Sequence, residues 1–574
     1  MSRTSVYRLK PRSPCRVLKE TAMNMSNTDA LPAETDVLVV GYGPVGAALA
    51  SLLGRYGIES LVVDKVQDIV FMPRAIALDN EALRILQMVG LGDEAFERIV
   101  IPKVNMRCPY VGNFGQVNTR GCIDGHPKLV TFYQPDLEKA LRRQTAQFAC
   151  VSFRAHCELV DLEQTENHVF AAIRDAVGNT HKIKARYVVG ADGASSVVRS
   201  LIGQDFQGQT YAEDWLIVDA GLREGRAIDH VEFICDPSRP TPHMPAPGGR
   251  ERWEFMLRQG ESREEIEHPD KVEELLVPWI GPDELVIERK AVYRFHARCC
   301  NRFQKDRVFL VGDAAHITPP FVGQGLVAGL RDAANLGWKL AWVLAGKATP
   351  DLLKSYDVER RPHAIQMINL ARFMGKLVMP RNWVSAVVIH GAMRIAHLLP
   401  PLRKHFEELE IKPANRFSMG FFLPAGSKSP LRSGGQLPQH WVRSGMGICL
   451  SDDVLGDHLT LVGFGVDPKR HVDPETLEKW RSLGGECLQV GARGERNKAE
   501  ESFAEDLSGT FITPATWGWI AVVRPDRVIM HAGLAEETSR ILSECIQMMV
   551  KNDLVDRRSK DKHLWDIRNV IFPR

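Results

Sequence analysis

Long apolar runs are missing from this sequence. No stretch of about 18 hydrophobic residues occurs in it, and its most apolar passage, Trp383–Leu399, is interrupted by His390, Arg394 and His397. A chain without such a run offers no helical membrane span, so neither a transmembrane segment nor a membrane partner is expected. An excess of one charge is missing too: 73 Lys and Arg face 71 Asp and Glu, a net charge of +2, which gives no reason to invoke nucleic acid. The eleven cysteines include no C-x-x-C pair, and the adjacent Cys299 and Cys300 are poorly placed to bridge. That pattern excludes a disulfide framework and a zinc site and fits reduced thiols in the cytoplasm; no metal is expected. The first residues are basic, but no apolar segment follows, so a secretory signal is not expected. Residues 1–33 are read as a disordered tail, with Met23 or Met25 as alternative starts.

What is present is ordinary globular composition, 44% hydrophobic and 25% charged, in 574 residues, enough for two or three domains. The organising stretch is Arg307–Asp332, RVFLVGDAAHITPPFVGQGLVAGLRD. An apolar strand ends at Gly312-Asp313, a loop with two prolines and two glycines follows, and a helical pattern runs from Leu326 to Ala345. Asp313, left at a strand end, can accept hydrogen bonds from a polyol, and the turn Gly323-Gln324-Gly325 presents backbone N–H groups to an acceptor or anion.

Near the start, DVLVVGYGPVGA carries Gly41, Gly43 and Gly46 between a strand and a small-residue helix, and a second strand ends in Asp64, 23 residues after Gly41. This is the dinucleotide fingerprint in its required context: Gly41 for the tight turn, Gly43 for close approach of a pyrophosphate, Gly46 for helix–strand packing, Asp64 for ribose hydroxyls. Arg74 follows in a loop where a surface arginine is the plain alternative. Gln134 precedes a helix predicted over Leu137–Gln144 with Asp136 as its N-cap. Asp192-Gly193 ends another strand ahead of a helix carrying Ser196 and Arg199. From 201 to about 298 the pattern changes to short alternating segments (Trp215–Ala220, His230–Cys235, Trp253–Leu257), which predicts an inserted antiparallel sheet. The passage 423–438, rich in Pro, Gly and Ser, reads as a linker, and 439–574 as a small α/β domain.

GYGPVG with Asp64, DGASSVVR and GDAAHITPPFVGQG, in that order, closely resemble the single-component FAD-dependent aromatic hydroxylases, the class A flavoprotein monooxygenases. Within them FMPRAIALDNEALRILQMVGL, FICDPSRP, RWEFML and RDAANLGWKLAWVLAGKA look most like the 3-(3-hydroxyphenyl)propionate hydroxylases. The likeness spans about residue 34 onward. It implies an α/β fold: a Rossmann-like FAD-binding domain in two parts (34–200 and 299–422, the second with a helical region), an inserted substrate-binding sheet domain (201–298), and a C-terminal thioredoxin-like domain lacking redox cysteines, a structural or dimer-forming module.

The resemblance also implies residue roles. Gly41, Gly43, Pro44 and Gly46 would hold the FAD pyrophosphate, and Asp64, where the family more often has Glu, would bind ribose beside Lys65. Arg74 would lie near the flavin and Gln134 would contact the cofactor. Asp192 and Gly193 would touch both the pyrophosphate region and the NAD(P)H path, with Arg199 as a helper. Gly312 and Asp313 would hold the ribityl chain, Pro320 would sit between flavin and substrate, and Gly323, Gln324, Gly325 and Leu326 would present donors to the flavin. Val327 stands where relatives commonly carry Asn. The implied activity is NAD(P)H- and O2-dependent insertion of one oxygen ortho to a phenol hydroxyl, with 3-(3-hydroxyphenyl)propionate as the expected substrate. Resorcinol, a chlorophenol or a polyketide, or flavin binding without turnover, are the alternatives. For the phenol-activating group His243, Tyr293 and His296 are candidates, with His243 the one carried forward. His316 reads as a loop-packing residue. Arg239, Arg250 and Arg258 are candidates for a carboxylate. Trp517-Gly518-Trp519-Ile520 imitates a flavin halogenase motif, but Ala521 replaces its proline.

Overall fold

A computed structural model describes residues 30–69, 74–222, 228–279, 285–399, 412–426, 429–495 and 502–550. Most of the expected tail and Phe71–Pro73 of the quoted motif lie outside them. Among the described residues no helix is long and apolar enough to cross a membrane.

The strand Glu34–Val40 is the centre of the first sheet. It pairs in parallel with Ser60–Val63 on one side and with Thr180–Gly190 on the other, and Val151–Arg154 extends the parallel set beyond Ser60–Val63. Val308–Leu310 lies parallel to the end of Thr180–Gly190, so the organising stretch enters the same sheet. Val37, Leu38 and Val39 are fully buried, as a parallel sheet covered on both faces requires. Cover on one face comes from the helix Pro44–Arg55 and the long helix Gly325–Leu344, brought close by glycines: Gly329 and Gly312 both sit against the Val45 side chain.

The second sheet is mostly antiparallel, in the order His316–Ile317, Leu285–Cys300, Phe206–Leu222, Arg250–Met256, Thr241–Ala246, Val231–Ile234, Lys103–Cys108, Gly112–Asn118. Two of its strands, Lys103–Cys108 and Gly112–Asn118, come from before residue 201. They join through a parallel pairing with Val231–Ile234 that no local sequence pattern announces. Its long strands exceed the short predicted segments because the pairing of Phe206–Leu222 with Leu285–Cys300 continues through two register shifts.

The helix predicted at Leu137 begins instead at Gln134, with Pro135 in its first turn and Asp136 inside it; Tyr133 occupies the cap without a side-chain bond. Proline is tolerated there because the first N–H groups of a helix lack partners in any case.

A third sheet, in the order Gly447–Leu450, Trp441–Ser444, Phe503–Asp506, Gly485–Gly491, Leu459–Phe464, Trp519–Val523, Ile529–Leu534, forms the terminal unit with helices Pro474–Ser482 and Thr538–Val550. The passage before it runs along that sheet: Leu423 N donates to Met530 O, Gly434 N to Ile529 O and Leu437 N to Arg527 O. Leu431 and Leu437 are buried in the terminal core.

Candidate active site

A cavity of about 1460 Å³ opens between the carboxyl ends of the parallel strands and one face of the second sheet. Gly43, Pro44, Lys65, Arg74, Gln134, Asp192, Gly193, Asp313, Pro320, Gly323, Gln324, Gly325 and Leu326 all line it. Residues spread from Gly43 to Leu326 thus converge on one space, at the strand ends where doubly wound sheets bind ligands.

At one end stands the amino terminus of Pro44–Arg55. No side chain caps it and its first turn has no acid, so its first N–H groups face the cavity free. Gly41 has φ +105° and a side chain there would run into the Ala191 carbonyl, whereas nothing lies within 4 Å of the place a Gly43 side chain would occupy. Gly46 closes against Gly41 O and packs the helix on its strand. Asp64 is set behind this loop instead of on the cavity wall: its carboxylate accepts from Tyr42 N (2.7 Å) and Val66 N (3.0 Å), holding the glycine loop in shape.

At the other end the long helix Gly325–Leu344 begins, again without a side-chain cap or an acid in its first turn. The Gln324 side chain turns away, donating to Asp79 Oδ2 (2.9 Å) and accepting from Arg331 Nη1 (3.1 Å), so the helix start is left open. Val327 is fully buried in the core, so the departure from the expected Asn falls on the packed side of the helix.

Between these two helix ends lies Asp313. Its side chain is exposed on the cavity side and has no hydrogen-bond partner among the described residues. Burial raises its pKa, against the opposing influence of His316 and Arg74. The loop is held from behind. Asp332 accepts from Gly312 N (3.0 Å), His316 Nε2 (2.7 Å) and Arg360 Nε (2.9 Å). Burial pushes the Asp332 pKa up, but His316 and Arg360 outweigh it and hold the carboxyl below its ordinary value. His316 is therefore a loop-packing residue.

Ser196 caps the short helix Val197–Leu201, and Asp192 braces that cap, accepting from Ser196 Oγ (2.5 Å) and Val197 N (2.7 Å). Arg199 donates to Ala314 O and Ala194 O and so ties this turn to the Asp313 loop. Gln134 Oε1 accepts from Ala75 N (2.9 Å), fixing the backbone beside Arg74, whose carbonyl accepts from Arg252 Nη1 (2.6 Å). Arg74 itself lines the cavity.

His243 requires a correction. On the strand Thr241–Ala246 its neighbours Pro242 and Met244 line the cavity, while His243 turns to the opposite face. There its Nε2 lies 2.6 Å from Glu251 Oε2 and its ring stacks on Trp253 with centroids 4.7 Å apart. It is 4% exposed and cannot reach a phenol in the cavity. Arg239, Arg250 and Arg258 are likewise off the cavity wall, engaged with Glu261, Glu288 and Ser238 O. Tyr293 and His296 do line it. The tryptophans of the halogenase-like motif border the terminal strand Trp519–Val523 and do not line the cavity.

One wall residue was not anticipated. Glu254 lies in the strand Arg250–Met256 between Trp253 and Phe255, which face the core; strand alternation puts Glu254 on the cavity face beside Ile217. An acid at that phase of an otherwise apolar strand was the available signal. Around it the wall is apolar: Met106, Ile217, Phe233, Met244, Phe295 and Phe321.

Fold and cavity define an α/β dinucleotide-binding protein with an apolar chamber beside the ligand loops. Comparison with known proteins makes this specific. A family described as "FAD binding domain" matches residues 34–371, and one described as "HcaD C-terminal domain" matches 434–548. The chain is 34% identical over 519 residues to a 3-(3-hydroxy-phenyl)propionate/3-hydroxycinnamic acid hydroxylase 2 of Burkholderia vietnamiensis, covering 86% of this chain and 93% of that one. It is 31% identical over 547 residues to the corresponding hydroxylase of Escherichia coli K12, covering 92% and 97%. Among solved structures, the flavin-dependent monooxygenase PieE with FAD and substrate superposes with TM-score 0.75 at 22% identity, covering 90% of this chain and all of that one. Aklavinone-11 hydroxylase with FAD and aklavinone superposes with TM-score 0.71 at 22% identity, covering 91% and 99%. The chain belongs to the FAD-dependent aromatic hydroxylases, and it is an enzyme of the flavoprotein monooxygenase class.

The cavity fits FAD on its own geometry. The open space at Gly43 before an uncapped helix end suits a pyrophosphate, the unpartnered Asp313 suits a hydroxylated chain, and the second uncapped helix end suits the electron-rich edge of a flavin.

Proposed function

We propose that this enzyme uses NADH or NADPH and dioxygen to hydroxylate a phenol ortho to its hydroxyl group, converting 3-(3-hydroxyphenyl)propionate to 3-(2,3-dihydroxyphenyl)propionate. The observation that carries this reading is the chamber wall itself: Met106, Ile217, Phe233, Met244, Phe295 and Phe321 give an apolar lining to the same cavity that holds Pro320, Gly323–Leu326 and the cofactor cradle. The two relatives at 31–34% identity, named for this substrate, support it. FAD, when bound, accepts hydride from the nicotinamide and activates dioxygen.

The chain's own residues do the rest. Gly41, Gly43, Pro44 and Gly46 seat the pyrophosphate, while Asp64 shapes that loop from behind and Lys65 borders the adenosine end. Gly312 lets the chain turn, with φ +59°, so that Asp313 meets the ribityl hydroxyls. Gly323 N donates to Pro320 O and so shapes the turn instead of meeting the flavin, and the backbone N–H groups at Gln324–Leu326 orient the isoalloxazine ring and favour negative charge on its near edge. Arg74 and Gln134 flank the ring, and Asp192 and Gly193 border the route of the nicotinamide. Pro320 and the aromatic wall exclude water, which keeps reactive oxygen from being wasted. In this reading the terminal unit is a thioredoxin-like module that serves structure or dimer formation, and its Cys449, Cys487 and Cys545 are free thiols.

The test is a panel of phenolic acids, resorcinol, chlorophenols and a polyketide, assayed for stimulation of NADH and NADPH oxidation with mass spectrometry of the product. Stimulation by 3-(3-hydroxyphenyl)propionate with formation of the 2,3-dihydroxy product is expected. Neither stimulation nor that product would rule out the substrate, and bound FAD without stimulation by any phenol would indicate flavin binding alone.

A further inference from the structure

The chamber wall facing the ligand loops is apolar except at one place, where the strands Arg250–Met256 and Leu285–Cys300 approach across Phe206–Leu222. Of the four titratable residues that this wall contributes, two are already engaged. Arg294 is bound to Asp214, and His296 Nδ1 lies 3.0 Å from Thr210 Oγ1. The other two are not. Glu254 is 7% exposed, lines the cavity and has no hydrogen-bond partner among the described residues. The Tyr293 hydroxyl is buried and likewise without a partner. Glu254, opposite Ile217, and Tyr293, opposite Trp215, stand on the two strands that flank Phe206–Leu222 and share its cavity face. An unpaired carboxyl and an unpaired phenol in an apolar wall leave a costly gap in hydrogen bonding, which a polar ligand atom between them would fill.

We propose that Glu254 is the catalytic base that takes the proton from the substrate phenol, with Tyr293 Oη hydrogen-bonded to the same substrate oxygen. This rests on the hydroxylase reading above. The phenolic O–H bond breaks, its proton forms a bond to a Glu254 carboxylate oxygen, and the electron pair stays on the phenolate, enriching the ortho carbon for attack by electrophilic oxygen. The proton returns to the product oxygen before release, so Glu254 ends as it began.

The surroundings tune the group for this. Burial pushes the Glu254 pKa up to about 7; Arg252 on its own strand opposes the rise and Asp219 on Phe206–Leu222 reinforces it. Arg252 and Arg289 both engage Asp219, so neither cation is free to bind Glu254 as a fixed ion pair. Pro242 and Met244, from the strand on the other side, bring no charge, and Arg74, whose carbonyl is held by Arg252, also lines the cavity. A base titrating near neutrality can both accept and return a proton at working pH. Burial raises the Tyr293 pKa, opposed by Arg74 and Arg252, so the tyrosine stays protonated and serves as a donor.

The experiment compares the holoenzyme with Glu254→Gln, following hydroxylated product from 3-(3-hydroxyphenyl)propionate and from a ring-fluorinated analogue with a more acidic phenol. Wild-type kcat should fall as pH drops through about 7, where the base is protonated. Glu254→Gln should keep its FAD, lose kcat by about 10²-fold or more, and lose that acid limb. Its deficit should shrink on the fluorinated analogue, which ionises more readily; a merely structural role would penalise both substrates alike. If Glu254→Gln does not accumulate, Glu254→Asp takes its place, with the acid limb kept but displaced. An acid limb unchanged in either variant, or an equal deficit on both substrates, overturns the proposal while leaving the hydroxylase reading intact. A wild-type enzyme that no phenol stimulates overturns both.

Discussion

Gly41 and Gly43 stand two positions apart and do different work. Gly41 needs its positive φ and has no room for a side chain, so it belongs to the fold. Gly43 has φ −69° and open space around it, so its lack of a side chain serves whatever occupies that space. Gly43→Ala should therefore fold with an unchanged apoprotein melting temperature yet bind FAD at least about 10-fold more weakly, the cost of a methyl group where the pyrophosphate approaches. Gly41→Ala should destabilise the apoprotein itself. Differential scanning fluorimetry with a fluorescence titration of FAD separates the two, and a Gly43→Ala protein with wild-type FAD affinity would contradict the cradle. The same distinction applies to the acids. Asp64 and Asp192 spend their oxygens on backbone and hydroxyl donors of their own loops, whereas Asp313 and Glu254 keep theirs free for a ligand.

At the scale of elements, the long helix Gly325–Leu344 carries the organising loop and also anchors it. Asp332, about two turns into that helix, gathers Gly312 N, His316 and Arg360, so strand end, loop and two helices meet on one carboxylate. Removing it strands Arg360 in the core, and Asp332→Asn should cost about 3–5 kcal/mol, in line with other broken buried ion pairs. The pH dependence has a definite sign. The folded pKa of Asp332 is depressed, so its contribution is full above the unfolded value of 3.8 and is lost as pH falls through the lower folded value. Urea unfolding followed from pH 7 down to about 3 should show a shallower loss of stability in Asp332→Asn than in wild type below about pH 4. An identical acid slope in the two proteins would show that the carboxylate does not pin the loop in this way.

Across the whole molecule, the terminal unit is tied to the FAD-binding part by charges buried at the junction. Arg524, fully buried, donates to Glu359 of the helix Lys354–Val378 (2.8 and 2.9 Å) and to Asp526; Lys339 of the long helix reaches the same Glu359 (2.8 Å). A second tie joins Arg84 of the helix Asn80–Val89 to Asp452 (2.8 Å). The terminal residues Phe464, Thr510, Phe511 and Ile529 also line the cavity, so this unit helps to close the space that holds the ligands. Arg524→Leu would leave Glu359 and Asp526 with Lys339 as the remaining countercharge among the described residues. It should destabilise the protein by about 3–5 kcal/mol, and the loss combined with Glu359→Gln should be clearly less than the sum of the two single losses. Chemical denaturation of the four proteins measures this coupling, and simple additivity would mean that the junction does not depend on the pair.

The sequence by itself determined the parallel-sheet framework and the FAD-binding loops, because both are local. Glycine triplet, strand-end acids and helix start each sit within a few residues of one another, and their backbone demands can be met by few other residue types. It also placed Asp313 and Gly323–Leu326 on one loop, and the ordered motifs were specific enough to name the family. Only the tertiary structure decided which side chains share the chamber. A strand shows one face to the cavity and the other to the core, and pairing register determines which. That register turned His243 onto Trp253 and Glu251, put Glu254 and Tyr293 on the same cavity face from either side of Phe206–Leu222, and drew Lys103–Cys108 and Gly112–Asn118 into a sheet begun a hundred residues later. Pairings between distant segments leave little trace in local composition, so the cofactor cradle was legible in the sequence and the substrate wall was not.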